Sequence, residues 1–156
     1  EKDSLFNLAL NGGDGKYGFL QIIDNYGGTK AANLSQYYAG TAYLNMQKYK
    51  EAIDHLDKFS ADDDVIAPIA KGAIGDAFVQ LNQLDNALEY YEKAFSLSTN
   101  DFTTPKYLQK AGVVALSKGD NAKALGYFKR IKEEFPSSEE GKNVDLYIGR
   151  ASAGVK

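Results

Sequence analysis

The segment IGDAFVQLNQLDNALEYYEKA, residues 74–94, contains a glycine, a short polar turn and an alanine that a tyrosine follows four residues later. Gly75, Ala87 and Tyr91 are the anchors of this pattern. A small residue lets two helix backbones approach closely, and a large residue one turn further on fills the groove beside it. The segment therefore predicts two helices that are joined by the turn NQLD and packed against each other through these anchors.

The same pattern occurs once before this segment and once after it. In each of the three units the glycine lies twelve residues before the alanine, and the alanine lies four residues before the large residue. The other two sets of anchors are Gly40, Ala52 and Leu56, and Gly112, Ala124 and Phe128. The units are spaced by 35 and then 37 residues, which indicates a solenoid of repeated helix pairs. In the third turn, KGDN, Gly119 suits a left-handed helix end and Asp120 suits the cap of the next helix.

Both ends of the chain carry part of this pattern. Residues 23–40, IDNYGGTKAANLSQYYAG, align without gaps onto residues 132–149, KEEFPSSEEGKNVDLYIG. Residues 16–26 are predicted to form the second helix of a degenerate leading unit, after a glycine-rich turn, NGGDG. We therefore interpret residues 1–156 as one domain, divided into a leading helix pair (1–32), repeat 1 (33–67), repeat 2 (68–104), repeat 3 (105–137) and a closing helix (138–156).

These residues resemble the tetratricopeptide repeat (TPR) family, in which aromatic, Leu-Gly, Tyr, Ala and Pro positions recur within 34 residues. The matching residues are Gly40, Tyr43, Tyr49, Ala52 and Leu56 in unit one, Ile74, Gly75, Phe78, Ala87, Tyr91 and Ala94 in unit two, and Gly112, Gly119, Ala124, Phe128 and Pro136 in unit three. The chain departs from the pattern at Phe59, Ala115 and Ile131, and it has no Trp. The resemblance implies an all-α, TPR-like right-handed superhelix of stacked antiparallel helix pairs.

The segments IDNYGGT and EEFPSSE are similar to inter-helix segments of bacterial cell-envelope TPR proteins. Many of those proteins carry an N-terminal transmembrane helix or a lipid anchor. The resemblance therefore implies a periplasmic or membrane-anchored location through a segment upstream of Glu1, because the chain does not begin with Met. No apolar run approaches the ~20 residues that span a bilayer, so we expect no direct membrane insertion by this segment.

Composition argues against several other classes of function. Eighteen Lys and Arg residues against twenty-one Asp and Glu residues give a net charge of −3, which does not favour a nucleic-acid partner. The absence of Cys excludes disulfides and thiolate metal sites, and a single His makes a catalytic triad improbable. We expect no catalytic residue, cofactor or metal site.

Three local motifs have both a functional and a structural interpretation. NGGDGKYG resembles a phosphate-binding loop, but Leu10 and Tyr17 stand where that loop needs Gly and Ser or Thr, so an inter-helix turn is favoured. The acidic run at residues 62–64 fits helix capping better than a calcium loop, whose ligands are spread over about twelve residues. His55 has no neighbouring nucleophile or second His in the sequence, which favours a surface or partly packed side chain.

The TPR resemblance also predicts where a partner binds, because the first helices of the pairs line a concave groove. The binding residues that it implies are Tyr37, Thr41, Leu44, Asp76, Lys106, Gln109, Lys110, Val113 and Arg150. The same groove face is predicted to include Leu34, Ile69, Gly72, Val79 and Leu116. Lys106 and Lys110 match two basic positions of the carboxylate clamp that binds chaperone tails. Three other clamp positions differ, so chaperone-tail recognition is not expected. The two lysines either hold an acidic segment of a partner or form a solvated face, and reversing their charges is predicted to leave the melting temperature unchanged.

The sequence thus predicts a non-enzymatic scaffold that binds a peptide or helix of a protein partner in the concave groove. Two alternatives stay open at this stage. The groove or an exposed end of the stack could bind a second copy, which would make the chain a homo-oligomerisation module. A small-ligand receptor or enzyme would need functional groups that the sequence pattern does not reveal.

Overall fold

A computed structural model describes residues 2–155. Across these residues the chain forms nine α-helices and no extended strand, which confirms the predicted all-α fold class. The helices are α1 (Lys2–Asn11), α2 (Phe19–Asn25), α3 (Lys30–Asn45), α4 (Tyr49–Lys58), α5 (Ile66–Gln80), α6 (Leu84–Leu97), α7 (Thr104–Ser117), α8 (Asn121–Glu134) and α9 (Glu139–Ala153).

The helices are stacked in the order of the sequence. From α2 onward, each helix packs mainly against the helices immediately before and after it, and helices two apart make smaller contacts, as between α3 and α5 or α7 and α9. Helix α1 packs against both α2 and α3. This arrangement is that of a solenoid, in which each repeat contacts only its neighbours. The largest apolar core runs from α6 to α9, and a smaller one joins α1 to α3 around Leu10.

Each anchor glycine is covered by the large side chain predicted for it. A methyl group added at Gly75 would lie 2.6 Å from the ring of Tyr91. The other two pairs are Gly40 with Leu56 and Gly112 with Phe128, each at 2.5 Å. Carbon atoms in contact are normally about 3.5 to 4.0 Å apart, so no larger residue fits at these positions without displacing the neighbouring helix.

The three turns between paired helices share a left-handed residue seven positions after the anchor glycine. This residue is Gly119 in the third turn, with φ of 79°, as predicted. Asp120 follows it and accepts a hydrogen bond from the amide of Lys123 at 3.1 Å, which confirms its predicted capping role. Gln47 and Asn82 take the same conformation in the first two turns, with φ of 60° and 55°. Asn is several-fold enriched in that region and Gln is not, so the residue type agrees with the conformation at Asn82 but did not predict it at Gln47.

The gapless alignment of the two ends of the chain is confirmed by matching helix caps. The hydroxyl of Thr29 donates to the carbonyl of Tyr26 and accepts a bond from the amide of Ala32. Ser138 makes the same two bonds with the residues three before and three after it. The equivalent side chains thus begin α3 and α9 in the same way.

The leading unit is shorter than predicted. Helix α2 begins at Phe19, whereas the sequence pattern predicted a helix from residue 16. The difference arises because Gly13 and Lys16 pair their backbones in an isolated antiparallel bridge, which keeps Lys16 out of the helix. The glycine-rich segment is an inter-helix turn, as predicted, with Gly12 at a φ of 74°.

The connection between α6 and α7 is held by a polar cluster that the repeat pattern did not predict. The side-chain amide of Asn100 donates to the carbonyl of Asp64 at 2.8 Å and to the hydroxyl of Thr103 at 2.8 Å. Its side-chain oxygen accepts from the amide of Thr103 at 2.7 Å. These bonds satisfy the polar groups of a connection in which Thr103 and Thr104 are fully buried.

Over residues 2–155, none of the helices combines the length and the apolar character that crossing a bilayer requires.

His55 connects α4 to α3. Its Nδ1 atom lies 2.7 Å from Oε1 of Gln36, and its ring stacks on Tyr43 with ring centroids 5.3 Å apart. The side chain is half-buried, and burial lowers the pKa of His55 below its ordinary value of 6.5. The His is therefore partly packed, as the sequence favoured, and its neutral form is the one that the folded domain stabilises.

This pKa predicts a loss of stability in mild acid. As the pH falls below 6.5, the unfolded chain protonates His55 more readily than the folded chain does, so the free energy of unfolding decreases. We expect the melting temperature to fall more steeply in the wild type than in a His55→Gln variant between about pH 7.5 and 5.5. Thermal melts of both proteins measure this, and parallel curves would contradict it.

Candidate functional site

A cavity of about 600 Å³ is lined by residues of α3, α5 and α7, the first helices of three successive pairs, and by one residue each of α4 and α6. We call it the central cavity. It is lined by Leu44, Asn45, Gln47, Tyr49, Asp76, Val79, Gln80, Tyr91 and Lys110. Leu44, Asp76 and Lys110 were among the predicted groove residues, and the structure brings these three together. The lining combines apolar side chains, amide groups and one ion pair.

Asp76 is the centre of a hydrogen-bonded network at the wall of the central cavity. Its Oδ1 atom accepts a bond from Nζ of Lys110 at 2.5 Å and another from the hydroxyl of Tyr91 at 2.6 Å. The three residues lie on α5, α7 and α6, so the network joins three consecutive helices. Because Asp76 already pairs with Lys110, a partner's carboxylate would have to share this ammonium group with Asp76.

Tyr91 has two roles that the sequence pattern did not separate. Its ring fills the groove at Gly75, and its hydroxyl reaches the central cavity to donate to Asp76. Burial, reinforced by the charge and the hydrogen bond of Asp76, raises the pKa of Tyr91 far above its ordinary value, so the hydroxyl stays protonated as a donor. The hydroxyl group was a signal in the sequence for this second role, because the other two units carry Leu and Phe at this position, and neither has a hydroxyl.

The expectation that Gly72 faces an open groove is wrong. Gly72 is buried, and the ring of Tyr107 from α7 lies against it so closely that a methyl group there would overlap the ring. Tyr107 also stacks on Tyr91, with ring centroids 6.2 Å apart. The missing side chain of Gly72 therefore makes room for an aromatic residue of the next repeat and offers nothing to a partner.

Four predicted binding residues lie outside the lining of the central cavity. Tyr37 is half-buried against Phe59, with ring centroids 5.2 Å apart, and its carbonyl accepts a hydrogen bond from Thr41 at 2.9 Å. Gln109 is half-buried on α7. Lys106 is exposed, with its ammonium 5.8 Å from the ring centroid of Tyr107. Of these side chains, that of Lys106 is the most open to a charged partner.

The last two predicted residues lie in a second, smaller pocket toward the C-terminal end of the stack. We call this 160 Å³ pocket the end pocket, and it is lined by Val113, Leu116, Ser117, Tyr147 and Arg150. Val113 is 40% exposed. Five of the predicted binding residues thus line one of two pockets on the first helices, and the others line neither: Tyr37, Thr41, Lys106 and Gln109.

The described residues offer no obvious site for a metal. No group of three or more Asp, Glu or His side chains is close enough to hold a cation among residues 2–155. In the acidic run, Asp63 accepts bonds from the amides of Val65 at 2.8 Å and Ile66 at 2.5 Å, just where α5 begins. This geometry confirms the capping interpretation. All buried side-chain nitrogen and oxygen atoms of the described residues have hydrogen-bond partners.

Solved structures with the same architecture include two crystal structures of MamA. One is 16% identical in sequence and covers 88% of this chain and 84% of its own, with a TM-score of 0.64. The other is 20% identical and covers 99% of this chain and 82% of its own, with a TM-score of 0.62. A structure described as the nearly identical TPR-like repeats of a Podosopora anserina putative kinesin light chain is 11% identical. It covers 87% of this chain and 74% of its own, with a TM-score of 0.66. At these identities the likeness establishes the fold alone.

Sequence models of known protein families give an independent test of the resemblance to the tetratricopeptide repeat family. Two models described as tetratricopeptide repeat match residues 37–101 and residues 107–138, which together make up more than half of the chain. A search of curated proteins finds no match. The matched residues include all three sets of anchors, and the structure packs each set as a TPR helix pair requires. The chain therefore belongs to the tetratricopeptide repeat family.

Proposed function

We propose that this domain is a non-enzymatic protein-interaction scaffold that binds a peptide or helix of a partner along α3, α5 and α7. The observation that carries the proposal is the central cavity, which is open to solvent on the first helices of three repeats. TPR proteins generally act as protein-interaction scaffolds, and a groove along the first helices is where such a fold receives a peptide.

The chemistry of the central cavity suits a peptide with apolar side chains. Leu44 and Val79 supply apolar surface, and Gln47 and Gln80 place amide groups at the edge of the cavity. Amide side chains both donate and accept hydrogen bonds, so they match the backbone of a bound peptide. In this proposal the burial of apolar side chains gives affinity, and the exposed charge of Lys106 orients an acidic residue of the partner.

A pair of matched charge variants tests this proposal. Lys106→Glu combined with Val113→Glu places two carboxylates on the open face of α7, on residues seven apart and both exposed. Lys129→Glu combined with Ala122→Glu makes the same change of charge on exposed residues of α8, also seven apart. We expect a partner captured by the wild type to bind the α7 variant at least about tenfold more weakly and the α8 variant unchanged.

Titration calorimetry or fluorescence anisotropy with the purified partner gives the two affinities, after circular dichroism has shown that both variants are folded. Equal weakening by the α7 and α8 variants would indicate a non-specific charge effect. Weakening by the α8 variant alone would move the binding site to the second helices. Either result would overturn the groove proposal.

Self-assembly is the second candidate function, and exposed leucines at both ends of the stack favour it. Leu5 and Leu8 on α1 are 69% and 54% exposed, and Leu146 on α9 is 70% exposed. The terminal repeats of a solenoid normally present polar outer faces, which keep the molecule soluble and monomeric. Apolar ends are therefore places where another helix would pack.

We also propose that the domain is the soluble part of a membrane-anchored protein of the bacterial cell envelope. The support is the resemblance of the segments IDNYGGT and EEFPSSE to cell-envelope TPR proteins. Fractionation of native cells into cytoplasm, periplasm and membranes tests this location. Recovery of the native protein in the cytoplasm alone would contradict it.

A further inference from the structure

A second apolar cavity is formed by α4, α5 and α6 and shares no lining residue with the central cavity. We call this cavity of about 270 Å³ the loop pocket, because the connection between α4 and α5 forms part of its wall. Its apolar lining includes Phe59, Ala67, Ala70 and Leu97. Leu97 ends α6 and is 54% exposed, so the loop pocket carries apolar surface that the domain itself does not cover.

The apolar surface continues from the loop pocket onto the connection between α6 and α7. The hydroxyl of Ser98, next to Leu97, donates to the backbone carbonyl of Asp64 at 2.7 Å, and the side-chain amide of Asn100 donates to the same carbonyl at 2.8 Å. These bonds hold the two inter-helix connections against each other. Phe102 follows two residues after Asn100 and is 68% exposed. Leu97 and Phe102 therefore flank, along the chain, the segment that binds Asp64.

Four carboxylates without an ion-pair partner accompany this apolar surface. Asp62, Asp63 and Asp64 lie on the connection between α4 and α5. Asp101 lies next to Phe102 on the connection between α6 and α7. All four acidic residues are exposed, and none of them takes part in an ion pair within residues 2–155. We call these four residues the acidic patch.

The lysines that are near the acidic patch in the sequence have other contacts. Lys58 pairs with Asp54 at 2.9 Å, and Lys71 pairs with Asp57 at 3.2 Å. The ammonium of Lys106 lies 5.8 Å from the centroid of an aromatic ring. Because carboxylates grouped on a surface add their fields, the acidic patch attracts cationic groups.

We propose that the loop pocket and the acidic patch together bind a basic segment of a protein partner. One apolar side chain of this segment, of the size of Leu or Phe, enters the loop pocket. Lysines or arginines on both sides of it face the carboxylates of the acidic patch. The inference does not depend on peptide binding in the central cavity, because the two surfaces are separate.

Charge complementarity selects this occupant over others. A neutral or acidic segment would fill the loop pocket but leave the four carboxylates without opposite charges. The same carboxylates would repel an anionic membrane surface. In this proposal the burial of Leu97 and Phe102 gives affinity, and the acidic patch gives specificity for a basic segment.

An NMR titration with a synthetic peptide tests the proposal, because it measures weak binding and also locates it. The peptide carries one Phe between two pairs of Lys, in a background of Gly and Ser. We expect it to shift the backbone resonances of Leu97, Phe102 and residues 61–66, and to bind more weakly as salt is added. The same peptide with Glu for every Lys should not bind, and the one with Ser for Phe should bind more weakly.

Matched charge variants test the role of the acidic patch. Asp62→Asn combined with Asp64→Asn should weaken binding of the Lys peptide about fivefold. The change leaves in place the capping bonds of Asp63 and the bonds to the backbone carbonyl of Asp64. Asp14→Asn combined with Asp24→Asn removes the same charge from exposed residues outside the patch, so this variant should bind like the wild type.

Three leucine-to-serine variants test where the apolar side chain of the peptide binds. Leu97→Ser should weaken binding about fivefold, because it removes apolar surface from the loop pocket. Leu44→Ser makes the same change in the central cavity, and Leu146→Ser makes it on the exposed surface of α9. Both should bind like the wild type, once circular dichroism has shown that all the variants are folded.

Any of four results overturns the proposal. The first is a wild-type domain that does not bind the Lys peptide or binds the Glu peptide equally well. The second is equal weakening by the two pairs of Asp→Asn changes, which indicates a non-specific charge effect. The third is weakening by Leu44→Ser but not by Leu97→Ser, which places the peptide in the central cavity. The fourth is a shift of the loop-pocket resonances with protein concentration alone, which identifies a second copy as the occupant.

Discussion

Replacing Gly75 with leucine should lower the free energy of unfolding by about 3 kcal/mol. Gly75 is buried on α5, and a single methyl group there would already lie 2.6 Å from the ring of Tyr91. A leucine must therefore push α6 away from α5 or force Tyr91 out of its position. Displacing Tyr91 also removes its hydrogen bond to Asp76, so the substitution harms packing and the polar network together.

Urea unfolding followed by circular dichroism measures this loss. Gly126→Leu is the matched control, because it makes the same chemical change at a helical glycine with open space around it. Gly126 loses the flexibility of glycine on substitution, so we expect that variant to be as stable as the wild type or slightly more stable. Equal stability of Gly75→Leu and Gly126→Leu would contradict the register of the repeats.

Reversing the charge of Lys110 should destabilise the domain by about 1 to 2 kcal/mol, whereas reversing Lys106 should leave its stability nearly unchanged. Lys110→Glu removes the cation that Asp76 binds at 2.5 Å and places a carboxylate beside another carboxylate. Lys106 lies one turn earlier on the same helix and is exposed, so Lys106→Glu is an internal control with the same change of charge. The sequence had predicted that neither change affects the melting temperature.

The comparison of the two lysine variants uses thermal melts and urea unfolding at the same pH. A double-mutant cycle with Asp76→Asn separates the ion pair from other effects, since the penalty of Lys110→Glu should shrink when Asp76 no longer carries a charge. Two variants of equal stability would show that the Asp76–Lys110 pair contributes little to the domain. Lys110 would then be available to a partner. The expectation that reversing either lysine leaves the melting temperature unchanged would hold.

The repeat pattern could be predicted from the sequence because each anchor depends on residue size at fixed helical spacing. Gly112, Ala124 and Phe128 illustrate this, since contacts within one helix pair follow from spacing along the chain. The helix cap at Asp120 was predictable for the same reason, because a cap binds an amide three residues away. The later start of α2 could not be predicted, because the Gly13–Lys16 bridge depends on an unusual turn.

The candidate site was only partly predictable. Its position on the first helices follows from the repeat, so the sequence predicts Leu44, Asp76 and Lys110 as groove residues. Their interactions could not be predicted, because Asp76 and Lys110 lie 34 residues apart in the chain and meet only when successive repeats stack. Gly72 was misjudged for the same reason, since Tyr107, which covers it, belongs to the next repeat.

The sequence by itself determined the class of fold, the number of anchored helix pairs and the contacts within each pair. Those features are local, and they depend on helical periodicity and on residue size. The tertiary structure alone decided which side chains of different repeats meet and which lysine is paired with a carboxylate. These features depend on the stacking of one repeat on the next, a geometry that no short segment of the chain encodes.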